Sequence, residues 1–371
     1  MRILFISRAY SEHAGGMERL SFELIGVFRS TPPPYQGGDR GGLSVTTIVN
    51  ETNPGASLLS TRLQSIIFAL SVLPKALVAS KNADIVHIGD PVLSFVGWCI
   101  ARMRHIPVIV TVHGLDVSYP SPLYQLYLRT FFRSFSGYIA ISEHAKKLMQ
   151  RHRVRGSIFV IPPGIRDDIY SNTYTRNDLG KLVYRNISNR IVFATTGRLV
   201  ARKGHAWFIK NVMTKLPRTV LYAIAGDGPQ REHISLLIKS LKMEDRVIML
   251  GRISHEDKKI LLNTIDAFIQ PNIPVVGDAE GFGIAPVEAA LCARTVFASN
   301  IDGIPSAIHN GKNGTLIPPK ETTAWVNILL QYMQHPLSHE PSGKDARSYT
   351  AENFSWDKIA QEYKKAFDSI A

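Results

Sequence analysis

Two glutamates, Glu280 and Glu288, flank a Gly-Phe-Gly turn in the stretch EGFGIAPVE. Carboxylates in this arrangement act as an acid/base pair, bind a ligand, or stand at the start of a helix. Pro286 suits the first turn of a helix, so the sequence predicts a helix that begins near Ile284 or Ala285. Glu280 then lies on the loop before this helix and Glu288 lies one turn inside it. We therefore do not expect the two carboxylates to share a proton.

The amides of this turn, at Phe282, Gly283 and Ile284, are hydrogen-bond donors at a helix N-terminus. Carboxylates accept paired hydrogen bonds from vicinal hydroxyls, which are the groups of a sugar or a ribose. The turn therefore predicts a site for an oxygen-rich ligand. The alternative is a helix that attracts acids through its dipole, which explains one glutamate but not the glycine turn.

Two cations, Arg198 and Lys203, flank the short stretch GRLVARKG, which follows a predicted strand and leads toward a helix. An arginine fork and a mobile lysine can bind one anion together. At the carboxyl end of a strand they suit a diphosphate leaving group, whose negative charge grows as its bond breaks. The alternative is an exposed basic turn.

His113 ends another predicted strand, in TVHGLD, and its imidazole can donate or accept a hydrogen bond near neutral pH. A purely structural histidine is the alternative. No histidines or acidic residues show the spacing of metal ligands, so we expect no catalytic metal.

Gly16, in AGGMERL, opens a predicted helix after the first strand. Amides at a helix N-terminus bind anions, and glycine allows a ligand to approach closely. The stretch is not G-x-G-x-x-G, and Glu18 would repel a phosphate, which argues against a dinucleotide site. An ordinary strand-to-helix turn is the alternative.

Strand and helix patterns alternate along the chain, which indicates an α/β fold with parallel sheets. The predicted strands are nearly continuous in apolar residues, as parallel strands covered on both faces are. We expect two Rossmann-like domains that face each other, with the ligand in the cleft at the carboxyl ends of the strands. The predicted strands are residues 2–7, 43–49, 84–89, 107–114, 137–142 and 157–164, then 190–198, 219–228, 246–253, 267–272, 295–299 and 314–319.

At 371 residues, the chain suits two domains of ordinary size. We expect an N-terminal domain at 1–168, a C-terminal domain at 169–353, and a helix at 354–371 that crosses back to the N-terminal domain. The polar stretch 165–190 is interpreted as a linker or an irregular beginning of the second domain. The Pro/Gly-rich segment 30–42 is interpreted as a surface loop, or as a mobile element that closes over an acceptor.

The composition, 45% hydrophobic and 20% charged, indicates a globular protein. The longest apolar stretch, 63–80, is interrupted by Pro74 and Lys75 and falls short of a membrane span. The N-terminal residues read as a strand and not as a signal peptide. Cys99 and Cys292 lie in apolar runs, so we expect buried free thiols and a cytoplasmic protein.

The net charge of +13 is unevenly distributed, because residues 1–190 carry 22 Lys and Arg against 12 Asp and Glu. A basic half attracts a phosphate-bearing substrate, an anionic lipid surface or a nucleic acid, although basic proteins without such a partner exist. Residues 121–135 mix aromatics, leucines and arginines as an interfacial helix would, or form a core-facing helix with solvated arginines. Aromatic-interleaved basic motifs are missing, so we expect no nucleic acid.

Taken together, these features resemble the retaining glycosyltransferases of family 4, which have the GT-B fold. The resemblance covers nearly the whole chain. It rests on the glycines at 15–16, HGLD at 113–116, GRLVARKG at 197–204, AGDGP at 225–229, EGFGIAPVE at 280–288, DGIPSAI, NGTLIPP, and FSW at 354–356.

The resemblance implies a role for each matching residue. Arg198 and Lys203 would hold the donor diphosphate, and Glu288 the ribose hydroxyls. Glu280 and the amides of 282–284 would hold the hydroxyls of the transferred sugar.

On the acceptor side, the resemblance implies that His113 lies beside the donor sugar at the reacting centre. Gly16 would let the acceptor-side loop approach the phosphates. The implied catalytic residues are His113, Glu280, Arg198 and Lys203.

The implied reaction moves a hexose-type sugar from a UDP- or GDP-sugar to a hydroxyl of a lipid-linked or saccharide acceptor. It needs neither cofactor nor metal, and an anionic membrane surface is an expected partner of the basic N-terminal domain. Two alternatives are a GT-B nucleotide-sugar 2-epimerase and a protein that binds nucleic acid or an anionic surface. Residues 292–296 and 302–306 depart from the family pattern, which leaves the donor open.

Overall fold

The computed structural model describes residues 1–11, 16–30, 43–51, 58–336 and 341–371. The chain divides into two compact units, Met1–Gly164 with Trp356–Ala371 and Ile165–Ser355. The sequence-based expectation puts these boundaries at 168/169 and 353/354. The segment 31–42, and with it the interpretation as a loop or closing element, lies outside the described residues.

The described part of the N-terminal unit contains a six-stranded parallel sheet with the order β2-β1-β3-β4-β5-β6. The strand order reverses at β1, a place where parallel sheets bind ligands at the carboxyl ends of their strands. Its elements, up to the second unit, are β1 Arg2–Tyr10, α1 Gly16–Ser30, β2 Ser44–Glu51, α2 Leu58–Ala79, β3 Ile85–Ile88, α3 Ser94–Arg104, β4 Val108–Val112, α4 Leu115–Ser118, α5 Pro122–Phe131, β5 Gly137–Ala140, α6 Glu143–Gln150 and β6 Ser157–Val160.

In the C-terminal unit, the described residues form a second six-stranded parallel sheet, β12-β11-β10-β7-β8-β9. Here the order reverses between β7 and β10. The remaining elements are α7 Arg176–Leu182, β7 Ile191–Thr196, α8 His205–Asn211, β8 Val220–Ala225, α9 Arg231–Ser240, β9 Val247–Gly251, α10 His255–Thr264, β10 Ala267–Gln270, α11 Ile284–Leu291, β11 Thr295–Ser299, α12 Ile304–Ala307, β12 Thr315–Ile317, α13 Thr322–Gln334, α14 Gly343–Phe354 and α15 Trp356–Asp368.

Each of the twelve predicted strands is present, which confirms the α/β class. The interior strands are buried along their length, as β4, β8 and β10 show, because helices cover both faces of each sheet. Ser142 caps α6, since its side chain accepts a hydrogen bond from the amide of Ala145.

Of the two interpretations of residues 165–190, the linker is wrong and the irregular beginning of the second domain is confirmed, because the second compact unit begins at Ile165. This stretch contains α7, which starts with a capping box formed by Thr175 and Asp178. Leu179, Val183 and Ile187 are spaced by four residues and are at most 3% exposed. The stretch is polar because these few apolar side chains are enough to dock a short helix onto the C-terminal unit.

The predicted crossing helix at 354–371 corresponds to α15, which begins at Trp356 after a separate helix, α14. The extended backbone of Ser355 (φ −63°, ψ 145°) separates α14 from α15. Helix α15 belongs to the N-terminal unit, where Tyr363 and Phe367 pack against Phe28 of α1 with ring centroids 6.3 and 5.9 Å apart. The chain thus returns to its first unit, as the crossing helix predicts.

Two expectations from the composition can be compared with the structure. Within the described ranges, no helix has the length and apolarity needed to cross a membrane. Cys99 and Cys292 are buried free cysteines, as predicted. Burial raises the pKa of the Cys292 thiol to about 12.

Candidate active site

A pocket of about 480 Å³ lies at the carboxyl ends of β7, β8 and β9 in the C-terminal unit. This edge, next to the reversal in strand order, is where open α/β sheets bind ligands. The pocket is lined by Gly197, Arg198, Gly226, Asp227, Gly228 and Arg252.

Glycines bring the two loops of this pocket into direct backbone contact. A Cβ atom at Gly226 would lie 1.8 Å from the carbonyl oxygen of Gly197, and one at Gly228 would lie 2.5 Å from that of Leu199. The amide of Leu199 also donates to the carbonyl of Asp227 at 2.9 Å. The walls of the pocket are therefore mostly backbone, which lets a ligand approach closely.

Cations surround this pocket. Arg198 lines the pocket and is exposed. Asp227 lies between Arg231, at 3.6 Å, and Arg252, at 3.7 Å. One carboxylate among three guanidinium groups leaves a positive field, which suits an anionic ligand.

Lys203 and Glu280 form a buried ion pair beside the pocket. The Nζ atom of Lys203 is 2.7 Å from Oε2 of Glu280, and the two residues are 7% and 9% exposed. The same Nζ lies 4.0 Å from the position of a Cβ atom at Gly197. The structure therefore places Lys203, which is predicted to bind the diphosphate, next to Glu280, which is predicted to bind the sugar.

The charge of Glu280 is stabilised by its neighbours. Burial alone would raise its pKa, but attraction to Lys203 and Arg202, with hydrogen bonds from Lys203 and Asn272, lowers the pKa to about 2. Glu280 is therefore ionised at neutral pH and accepts hydrogen bonds.

The loop that carries Glu280 is tied to the loop that carries Lys203. The guanidinium of Arg202 is 2.7 Å from the carboxylate of Asp278. The backbone carbonyl of Arg202 accepts a hydrogen bond from the amide of Ile273 at 2.9 Å. Gly204 has a positive φ of 69°, and a Cβ atom there would lie 1.9 Å from the carbonyl oxygen of Pro271. Glycine at 204 is therefore required both by its backbone and by the approach of the second loop.

The Gly-Phe-Gly turn leads into α11, which begins at Ile284 as predicted. Gly283 adopts a positive φ of 101°, and the ring of Phe282 packs against Phe354 at 5.9 Å between centroids. Phe282 is 4% exposed, so its ring is not available to a ligand. In the described part of the chain, the amides of 282–284 donate no hydrogen bond.

One of the two departures from the family pattern supports this turn. Asp302 accepts a hydrogen bond from the amide of Glu280 at 3.1 Å, and the amide of Gly303 donates to the carbonyl of Glu280 at 2.9 Å. A Cβ atom at Gly303 would lie 2.1 Å from the carbonyl oxygen of Gly281. The backbone of Glu280 is therefore held on both sides by residues 302–303.

Glu288 lies on α11 and has a different partner. It is 2% exposed, and its Oε2 atom is 2.6 Å from Nζ of Lys258 on α10. Glu280 and Glu288 are thus each paired with their own lysine.

The predicted residues of the N-terminal unit lie at the carboxyl ends of its strands. The amides of His113 and Gly114 both donate to the carboxylate of Asp116 at 2.8 Å. Nε2 of His113 is 3.1 Å from the carbonyl oxygen of Gly89. Because a carbonyl only accepts, Nε2 carries the hydrogen. Gly16 is the first residue of α1, and its neighbour Gly15 lies outside the described residues.

Sequence reasoning missed several neighbours of these residues, namely Arg202, Asp227, Arg252, Lys258, Asn272 and Asp302. Asp227 belongs to AGDGP, a motif that resembles the family pattern, and could have been found there. The others act through contacts that only the folded chain creates, which no local sequence pattern shows.

Comparisons with known proteins agree with these observations. Residues 10–169 match the family described as Glycosyltransferase Family 4, and residues 183–350 match the one described as Glycosyl transferases group 1. The chain belongs to glycosyltransferase family 4. Both family matches are to glycosyltransferases, so the protein is a transferase enzyme.

Relatives of this glycosyltransferase are distant in sequence. It is 22% identical to alpha-D-kanosaminyltransferase of Streptomyces kanamyceticus over 285 residues, which cover 72% of each chain. It is 23% identical to D-inositol 3-phosphate glycosyltransferase of Corynebacterium diphtheriae, over 94% of this chain and 86% of the relative. The crystal structure of HepE from Anabaena in complex with UDP-glucose covers 100% of both chains with a TM-score of 0.75 and 21% identity, which shows the GT-B fold.

Proposed function

We propose that this glycosyltransferase moves a hexose-type sugar from a nucleoside diphosphate sugar to a hydroxyl acceptor, with retention of configuration and without a metal ion. The observation that carries the proposal is the buried pair of Lys203 and Glu280 beside the pocket of Arg198. This pair supports the proposal because a cation suited to a diphosphate lies next to a carboxylate suited to accept hydrogen bonds from sugar hydroxyls.

The cations of the pocket stabilise the negative charge that develops during the reaction. Arg198 and Lys203, with Arg252 across the pocket, stabilise the diphosphate as negative charge develops on it. This is the task that a metal ion performs in other transferases. The leaving phosphate then takes the proton of the attacking hydroxyl, so the reaction needs no carboxylate nucleophile.

Glu280 binds hydroxyls of the transferred sugar, together with the amides of 282–284. Its low pKa supports this role, because a carboxylate that stays ionised accepts hydrogen bonds and does not donate a proton. Glu288 accepts the ribose hydroxyls, and Lys258 offsets the cost of burying its charge.

His113 lies beside the donor sugar at the reacting centre. Gly16 lets the acceptor-side loop approach the phosphates of the donor. The hydrogen bond to Gly89 leaves Nδ1 of neutral His113 as an acceptor for a hydroxyl. We expect His113→Ala to lower turnover more than it weakens the binding of the nucleotide.

The donor carries uridine or guanosine, and UDP-glucose is the first to test, since the similar HepE structure is a complex with UDP-glucose. The acceptor is a lipid-linked or saccharide hydroxyl in glycoconjugate synthesis. A relative named as a phosphatidylinositol monomannoside mannosyltransferase, from Mycolicibacterium smegmatis, supports this class.

The N-terminal unit docks on the cytoplasmic face of an anionic membrane. Helix α5 buries Leu128 but exposes Leu123 (81%) and Leu126 (59%) on the side that also carries exposed Arg129. Such a stripe of leucine and arginine suits an interface with anionic lipids. Sedimentation with phosphatidylglycerol vesicles at low and high salt tests this, and no binding at low salt contradicts it.

The reaction is tested by NMR of the purified enzyme with UDP-glucose or GDP-mannose and a panel of acceptors. We expect a product with the anomeric configuration of the donor, formed equally well with EDTA present. Inversion of configuration, loss of activity in EDTA, or an epimerised nucleotide sugar without acceptor would contradict the proposal.

A further inference from the structure

The two carboxylate oxygens of Glu280 have different surroundings. Oε2 is 2.7 Å from Nζ of Lys203, 3.2 Å from the side-chain nitrogen of Asn272 and 3.5 Å from Nε of Arg202. Across the described residues, no hydrogen bond or ion pair reaches Oε1. The protein therefore saturates one oxygen and leaves the other as an acceptor.

We infer that Asn272 is a positioning residue for the donor sugar, because it holds Oε2 of Glu280 within the protein and leaves Oε1 for a sugar hydroxyl. This inference rests on the proposed function, since it assumes that Glu280 meets the transferred sugar. Lys203 alone cannot fix the carboxylate, because its amine is a point charge on a flexible chain. An amide donor fixes a direction as well as a distance.

Asn272 is itself fixed by the end of β10. Nε2 of Gln270, the last residue of that strand, donates to Oδ1 of Asn272 at 2.6 Å, and both residues are fully buried. Because Oδ1 receives this hydrogen bond, the other end of the amide, Nδ2, is directed to Glu280. With the amide turned round, Oδ1 would lie against a carboxylate. The strand thus selects the orientation of Asn272 that Glu280 needs.

The arrangement predicts a specific division of binding energy. Among the described residues, the side chain of Asn272 hydrogen-bonds to the carboxylate that is assigned to the sugar and to none of the residues that line the pocket. Its removal should weaken the interaction with the sugar and leave the interaction with the nucleoside diphosphate nearly unchanged. A residue with a merely structural role would weaken both to the same extent.

The test compares dissociation constants for UDP and UDP-glucose, or for GDP and GDP-mannose if the wild type binds that pair, by titration calorimetry. For Asn272→Ala we expect about tenfold weaker binding of the nucleotide sugar, the loss typical of a hydrogen bond to a charged group. Binding of the nucleoside diphosphate should stay within about twofold of the wild type, inside the scatter usual for single contacts. Asn272→Asp, which puts a second carboxylate beside Glu280, should lose more of the sugar contribution than Asn272→Ala.

The matched control is Asn263→Ala. Asn263 is also a buried asparagine of the C-terminal unit, and its amide donates to the carbonyls of Ile169 and Lys259. Its loss should lower stability without changing the ratio of the two dissociation constants.

Each outcome decides the inference. Equal weakening of both ligands, or no weakening of the nucleotide sugar, overturns the role of Asn272 while the proposed function stands. A wild type that binds none of the four ligands overturns the proposed function and this inference with it. If Asn272→Ala does not fold, Gln270→Met is measured in the same way and should show the same selective loss, to a smaller extent.

Discussion

The described part of the C-terminal unit contains two lysine–glutamate pairs of almost equal length, Lys203–Glu280 at 2.7 Å and Lys258–Glu288 at 2.6 Å. The first connects two loops at the carboxyl ends of strands and is joined by Arg202 and Asn272. The second connects two helices, and the side chain of Lys258 is 22% exposed against 9% for Lys203. Equal distances therefore do not mean equal roles. The loop pair belongs to a network that holds Oε2 of Glu280 and leaves Oε1 as an acceptor, whereas in the helix pair Lys258 compensates the charge of Glu288.

The largest effect is expected for Lys203→Met. Glu280 then keeps Arg202 and Asn272 but loses its closest cation, and the diphosphate loses one too. Turnover should fall about 10³-fold, and the free energy of unfolding should fall by about 3 kcal/mol, as when a buried pair is broken. Steady-state kinetics and urea denaturation measure the two quantities.

The matched variant for this prediction is Lys258→Met, in the other pair. Because Lys258 is partly exposed, we expect a loss of only about 1 kcal/mol in the free energy of unfolding. Similar losses for both variants would mean that the two pairs are equivalent, against our comparison.

The second prediction concerns stability at acid pH. The folded-state pKa of Glu280 is lowered from 4.5 to about 2, so the stabilisation it provides is complete above pH 4.5 and is lost as the pH falls toward 2. The contribution amounts to about 3 kcal/mol. Urea denaturation of the wild type and Glu280→Gln between pH 2 and 6 measures it.

The difference between these two proteins should be largest near pH 6 and should shrink as Glu280 takes up a proton. A difference that stays constant down to pH 2 would show that the charge of Glu280 contributes nothing to stability.

Third, Glu280→Gln should lower kcat about 10²-fold, because the variant loses a charged acceptor that is used in the transition state. The dissociation constant of the nucleoside diphosphate should change little, since the pocket of Arg198 and Asp227 is intact. Kinetics with saturating donor and calorimetry with the nucleoside diphosphate measure the two effects. An unchanged kcat/KM for the donor would contradict the sugar role.

The smallest effect is expected for Glu288→Gln, which should raise the KM for the donor about tenfold with little change in kcat, as for a contact made equally in ground and transition states. The physical reason is that ribose hydroxyls do not change as the sugar is transferred. Kinetics with varied donor concentration measure this effect, and a fall in kcat like that of Glu280→Gln would give both glutamates one role.

Much of the fold and part of the site could be predicted from the sequence, and the particular residues show why. The strands are legible because parallel strands covered on both faces are continuous apolar runs. Arg198, Lys203 and Glu280 could be found because glycine turns at strand ends mark the edge where ligands bind.

The rest depends on tertiary contacts. The amide of Asn272 and the carboxylate of Asp302 look like ordinary loop polarity until the fold brings them to Glu280. Helix α7 was missed because it is docked by a few apolar side chains, and the division at Ser355 because a single extended residue interrupts two helical patterns.

The central claim is that the pocket of Arg198 with the pair of Lys203 and Glu280 binds a nucleotide sugar. Thermal unfolding of the wild type with UDP, GDP and ADP, and with their sugars, tests it most directly, because a ligand of the native state raises the melting temperature. For the wild type we predict a rise in the melting temperature with one nucleoside diphosphate and a larger rise with the corresponding nucleotide sugar. For Glu280→Gln we predict that the nucleotide sugar raises the melting temperature no more than the nucleoside diphosphate does. No rise with any of these ligands, or an equal rise with sugar and without it in both proteins, would contradict the claim.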